Sequence, residues 1–170
     1  MARITTLISL SILGIAGHSI AANLPGKWTG RMKLDGTAFR NELVKRSKAA
    51  KGDEKKQIDQ KIKMIDESIA SVGKTTIKLD IKKDGIAFIE FNRGGNKAQG
   101  EWCKWTLKGQ NVTLSGFSGL GDETMVFGGK VIEGGNKIQF DASQIILKQL
   151  EARGLKNNRP PKLTMTFTKV

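Results

Sequence analysis

The chain has 170 residues, with 29 Lys and Arg against 16 Asp and Glu and a formal net charge of +13. It contains one Cys, one His and no Tyr. The single His, His18, falls in a leader-like N-terminus, so the chain beyond it has no His to activate a Ser or Cys nucleophile and cannot close a Cys/His zinc site.

Met1-Ala2-Arg3 is a short basic start, and Ile4 to Ala16 is an apolar run diluted by Thr5, Thr6, Ser9 and Ser11. Gly17 to Ala22 is rich in small residues. This layout predicts a secretory signal peptide over 1–22, cut after Ala21 or Ala22. The apolar run is too short and too polar to span a bilayer comfortably. Asn23, not Cys, follows the cut, which argues against a lipid anchor. The expectation is an exported protein, periplasmic or secreted, with one domain over 23–170 and no transmembrane segment in it.

Behind the leader, Trp28, Gly30, Met32 and Leu34 alternate with Lys27, Thr29, Arg31 and Lys33. Apolar against basic with period two predicts a strand over 26–34 with one buried face. The period then changes. Ile58, Ile62, Ile65, Ile69 and Val72 lie on one face of a helix, and Phe39, Leu43 and Ala50 make a weaker stripe upstream. Two antiparallel helices over 38–50 and 53–72 are expected, with Asp53 as N-cap; one long helix kinked at Gly52 is the alternative.

From Lys74 the period returns to two. Ile77, Leu79 and Ile81 oppose Lys78, Asp80 and Lys82, and Asp84-Gly85 is a hairpin signal. Ile86 to Phe91 is apolar on both faces, as expected of a strand between the barrel and the helical insert. Cys103, Trp105 and Leu107 share a parity against Trp102, Lys104 and Thr106. Further strands are expected over 111–117, 124–132 and 136–141, with turns at Lys108-Gly109-Gln110-Asn111 and Glu133-Gly134-Gly135-Asn136. The repeated Gly-Gly-Asn-Lys at 94–97 and 134–137 reads as two independent hairpin turns. Ser143 to Arg153 is expected to be helical, with Ser143 and Gly154 as caps. Leu163, Met165 and Phe167 then alternate with threonines in a closing strand over 162–169.

The predicted fold class is therefore mainly β: eight strands (26–34, 74–82, 86–92, 97–107, 111–117, 124–132, 136–141 and 162–169) in an antiparallel up-and-down barrel, with a helical insert over 38–72 and a short helix before the last strand. An even-numbered meander whose ends pair leaves no edges. Two packed sheets are the other closure.

Candidate chemistry is sparse. Asp122-Glu123 in a glycine-rich loop is the one acidic doublet on an expected barrel rim, and neighbouring residues on a loop are a weak signal for paired-carboxylate hydrolysis. No catalytic residue, metal site or cofactor is predicted. A lone Cys103 allows no intramolecular disulfide; it reads as a buried small hydrophobe, or else as an intermolecular bridge.

Gly26-Lys27-Trp28, just after the expected cut, resembles the Gly-x-Trp of lipocalin and calycin barrels, in which the Trp plugs the closed end of an eight-stranded barrel. Gly100-Glu101-Trp102, Gly109 and Val112-x-Leu114 look like small exported bacterial lipocalin-like domains. The second lipocalin motif is missing. That family's late Arg, which lies across the Trp, has no clear counterpart here; Lys169 and Arg153 are the candidates to take its place. The resemblance also places the insert over 38–72 where lipocalins carry a lid, as a structural cap, a gate or a surface for a partner.

Three functions follow. The first is a carrier of a small apolar ligand or lipid, with Trp28, Met32, Trp105, Met125, Phe127, Phe140, Met165 and Phe167 lining the interior beside Leu79, Leu107 and Leu114. These bulky side chains would equally well fill the barrel. The alternative is a basic surface-binding module of the cell envelope, meeting anionic lipid or polysaccharide through Lys27, Arg31, Lys33, Arg153, Lys156, Arg159 and Lys162. The third is an inhibitor or interaction module, for which the charge has the wrong sign against a basic target such as lysozyme. Nucleic acid is not an expected partner, because the aromatics are few and mostly face inward.

Overall fold

The period-two alternation that begins at Gly26 produces the first strand of a closed, eight-stranded antiparallel barrel, seen in a computed structural model that describes residues 24–94, 97–118, 124–152 and 160–170. The expected leader over 1–22, the doublet Asp122-Glu123, the cap Gly154, and the cations Arg153, Lys156 and Arg159 lie outside the described residues.

In chain order the elements are β1 (Gly26–Asp35), α1 (Thr37–Ala49), α2 (Gly52–Gly73), β2 (Thr75–Ile81), β3 (Ile86–Arg93), β4 (Gln99–Lys108), β5 (Asn111–Ser118), β6 (Thr124–Ile132), β7 (Lys137–Asp141), α3 (Ser143–Ala152) and β8 (Lys162–Lys169). Each strand pairs with its neighbour in sequence, and β1 pairs with β8 from Trp28↔Lys169 to Asp35↔Lys162. The single-barrel closure is thus the one adopted, and packed sheets are not.

Closure gives the barrel two unlike ends. One end, the floor, holds the tight β2–β3, β4–β5 and β6–β7 connections together with Gly26 and Lys169. The other, the mouth, receives both helical connections, α1–α2 between β1 and β2 and α3 between β7 and β8.

The inward parity is the apolar one. Trp28, Ile77, Leu79, Ile89, Leu114, Phe127, Ile138, Phe140, Met165 and Phe167 are all buried in one cluster. Two glycines shape it. A Cβ on Gly30 would lie 2.7 Å from Phe167 Cδ1, and one on Gly129 would lie 2.5 Å from Phe140 Cδ1. The missing side chains let both rings lie flat across neighbouring strands, where they meet edge to face with centroids 5.8 Å apart. Gly116, with φ +93°, relaxes a bulge between Ser115 and Phe117 in β5.

The insert is two helices, because the chain between them is not helical. Ala50 and Lys51 are extended and Gly52 has φ +56°. Phe39, Leu43 and Ile58 form a small second core with Ala50, Ile62, Ile65 and Leu150. Arg40 donates two hydrogen bonds, 2.7 and 3.1 Å, to the Asp66 carboxylate and ties α1 to α2. Asp53 sits inside the first turn of α2 rather than capping it, and Lys56 donates to it at 3.1 Å. Both acids of that turn, Asp53 and Glu54, still lie at the positive end of the helix dipole.

One expectation is corrected. The second apolar face of β3 is not covered by the insert, which packs on β1 at the mouth. Phe88 points outward instead and tilts against Trp102 with ring centroids 5.0 Å apart, beside exposed Ile86. Register explains it: Phe88 faces Trp102, and Glu90 faces Gly100, whose missing side chain gives the Phe88 ring its space.

The glycine–phenylalanine contacts make a direct prediction. Gly30→Ala and Gly129→Ala are each expected to destabilise the barrel by about 1–3 kcal/mol through overpacking. Gly128→Ala, whose Cβ would meet nothing within 4 Å, is expected to stay within about 0.5 kcal/mol of the wild type. Urea unfolding of the three variants checks this.

Candidate functional site

The floor is closed by chemistry local to the chain ends. Trp28 is fully buried, and its indole Nε1 donates to the Leu24 carbonyl at 3.0 Å. Lys169 carries its Nζ 5.5 Å from the centre of the Trp28 ring, a cation–π distance. Lys169 thus lies across the buried Trp28 ring at the floor. Trp105 is half-buried beside the β2–β3 turn, and its Nε1 donates to the Lys82 carbonyl at 2.8 Å. Polar edges of both large rings are therefore satisfied while their faces seal the floor.

The mouth is different. A cavity of about 460 Å³ lies between the barrel rim and the helices. From the barrel it is lined by Met32, Leu34, Thr75, Arg93 and Leu163, and from α3 by Ile145, Ile146 and Leu150. From the insert come Gly36, Phe39 and one face of α2, including Lys61, Met64, Ile65, Ser68, Ser71 and Val72. The volume lies within the roughly 300–1,000 Å³ range of small-molecule sites.

Why the space is empty follows from the sequence of α2. Ile69 and Val72 reach the barrel core, while Ser68 and Ser71 are too short to fill the neighbouring volume. Ser68 donates to the Met64 carbonyl at 2.7 Å, and Thr75 donates to the Ser71 carbonyl at 3.3 Å. Those two hydroxyls are spent on the helix backbone.

The structure separates the residues expected to line a barrel interior. Trp28, Phe127, Phe140, Met165 and Phe167 are buried among one another, and Met125 is nearly so. Trp105 belongs to the floor. Of the eight, Met32 faces the mouth cavity. Of the α2 residues that line the cavity, Ile65 and Val72 belong to the apolar stripe expected of that helix, and helix periodicity alone does not say which part of a face meets a gap. The short Ser68 and Ser71 within the α2 stripe are the available signal.

The α3 roof is fixed to the barrel by a polar clasp. Asp141 Oδ1 accepts from the Ser143 amide at 2.9 Å, and the Ser143 hydroxyl accepts from the Leu163 amide at 3.1 Å. So Ser143 does not spend its hydroxyl as a simple N-cap; it links α3 to β8. The hydrogen bonds from the Ser143 side chain and amide hold the Asp141 carboxyl below its usual 3.8, assisted by the charge of Lys162. The stability this contributes is fully present above the unfolded-state value and is lost as pH falls through the lowered folded-state value. Asp141→Ala is expected to cost about 1 kcal/mol at neutral pH, given its exposure. The difference from the wild type should shrink below pH 4, as read from urea midpoints across an acid series.

Cys103 points inward, is buried, and donates weakly to the Ala87 carbonyl at 3.4 Å. Burial, with a smaller contribution from Glu101, pushes its thiol up to about 11. A buried, protonated thiol is a poor candidate for an intermolecular bridge.

Outside the barrel, Lys27, Arg31 and Lys33 are exposed on β1. Across the ladder Lys27 faces Asp80, Arg31 faces Thr76 and Thr166, and Lys33 faces Thr164. These three cations have no salt bridge among the described residues, unlike Lys78 with Glu90 and Lys82 with Asp80. Lys162 faces Asp35 across the β1–β8 ladder. Among the described residues no group of three His, Cys, Asp or Glu could hold a metal ion, and no helix is long and apolar enough to cross a membrane.

Compared with protein-family models, curated proteins and solved structures, the chain matches none of them.

Proposed function

We propose that this chain is an exported, non-enzymatic lipocalin-like barrel that carries a small, largely apolar molecule, held in the mouth cavity under the helical insert. The observation that carries the reading is the roughly 460 Å³ mouth cavity, with Leu34, Phe39, Ile65, Val72, Ile146 and Leu163 in its wall. Burying an alkyl chain against such a wall is favourable by about 25 cal/mol per Å² of apolar surface removed from water. The leader-like sequence over 1–22, the Gly-x-Trp at 26–28 and the Lys169–Trp28 contact support export and the lipocalin-like assignment. In this reading the insert over the mouth acts as the lid, and the filled floor serves as its rigid base.

Protein purified from its native compartment, extracted with organic solvent and analysed by mass spectrometry, is expected to release one class of lipid-like molecule at near-stoichiometric amount. Native mass spectrometry should show the same adduct on the intact chain. Protein that is clean by both methods, and that takes up no apolar probe when refolded in its presence, would refute the carrier reading.

A second reading is favoured by one observation, the exposed cations Lys27, Arg31 and Lys33 on the outer face of β1, none of them in a salt bridge among the described residues. Such a stripe suits an anionic polysaccharide or lipid surface of the cell envelope, because exposed unpaired cations attract polyanions through solvent at low salt. Replacing all three by Gln is expected to move elution from a heparin column to clearly lower salt without changing thermal stability. Unchanged elution would remove this reading.

A further inference from the structure

The mouth cavity is apolar but not electrically neutral. Two cations line it, Lys61 from α2 and Arg93 from the end of β3. Lys61 is half-buried, and neither cation has a salt bridge or side-chain hydrogen bond among the described residues. Glu67 is the carboxylate on the cavity wall, and its side chain lies 3.9 Å from Lys63, on the same helix. The other carboxylate of that stretch of α2, Asp66, is held by both guanidinium bonds from Arg40. The nearby hydroxyls of Ser68 and Thr75 already donate to backbone carbonyls.

A half-buried cation without a counter-charge carries a desolvation cost that an anionic ligand offsets. We infer that the ligand of this cavity is a single-chain amphiphile with an anionic head, its chain lying under α2 and its head held by Lys61 and Arg93. The inference rests on the carrier reading and adds the class of ligand. Two cations on different elements, a helix of the insert and a barrel strand, would both be engaged by one head group. Binding would then pin the insert to the rim, linking occupancy to closure. Arg93 suits a carboxylate or a phosphate through its planar fork, whereas Lys61 contributes a point charge.

The test uses the full folded chain and three probes of equal chain length: decanoate, decyl phosphate and decanol, titrated by calorimetry. The two anions are expected to bind about tenfold or more tightly than the alcohol, since a hydrogen bond to a charged partner contributes more than a neutral one. In the double variant Lys61→Gln, Arg93→Gln, that preference should collapse, the anions falling to about the affinity of decanol for the same variant. Lys61→Arg with Arg93→Lys keeps both charges and should retain the preference, which separates charge from misfolding. A preference for one anion over the other identifies the head group as carboxylate or phosphate and supports the inference equally. Equal binding of decanol and both anions by the wild type would overturn the anionic head while leaving a carrier. An anion preference that survives in the Gln double variant would overturn the roles of Lys61 and Arg93. Failure of all three probes to bind would overturn the carrier reading itself.

Discussion

The pairing of β1 with β8 is the constraint on which the rest of this structure depends. An open eight-stranded meander would expose two unpaired edges; closure satisfies both with each other. It also brings the two ends of the barrel sequence together at one floor, so that Lys169 reaches Trp28 and the Val170 amide reaches the Lys27 carbonyl at 3.0 Å. With short turns consuming the floor, the long connections have only the mouth to occupy. The insert and α3 thus meet above the same opening because of strand direction, and their own small core of Phe39, Leu43 and Ile58 with Leu150 secures that meeting.

The same geometry explains why one end is solid and the other hollow. At the floor and waist, Trp28, Phe140, Phe167 and their neighbours are large enough to fill a barrel of this strand number, provided Gly30 and Gly129 give way to the rings. At the mouth the ceiling is helical. A helix laid across a round opening touches the rim along a line, and the volume beside that line is filled only if large side chains project into it. Here Ile69 and Val72 make the contact and Ser68 and Ser71 leave the gap. Packing near crystal density would have required longer side chains there.

The outer surface divides by strand. β1 presents cations among threonines, while β3 and β4 present Phe88 against Trp102, the latter 61 % exposed. Most ion pairs of the described residues are exposed and contribute little each. The Arg40–Asp66 pair is better placed than most, since it is bidentate and joins two helices whose cohesion maintains the roof of the cavity.

Alternation and turn residues determined the architecture by themselves. The period-two runs around Trp28, Leu79, Leu114 and Met165 gave the strands and their buried faces, and the 3.6-residue stripe from Ile58 to Val72 gave the longer helix of the insert. Those signals are local, since a strand or helix advertises its buried face through spacing alone. Phe88 and Trp102 show the limit: their outward aromatic pairing depends on which strands become neighbours, and the sequence around Phe88 reads equally well as a strand buried on both sides. The site shows it again. Of the side chains first expected to line an interior, most fill it and Met32 alone reaches the cavity, because whether an inward residue meets a void depends on volumes summed over several strands and helices. Lys61 and Arg93, 32 positions apart in the chain, became neighbours of one cavity only when the barrel closed and the insert folded over its mouth.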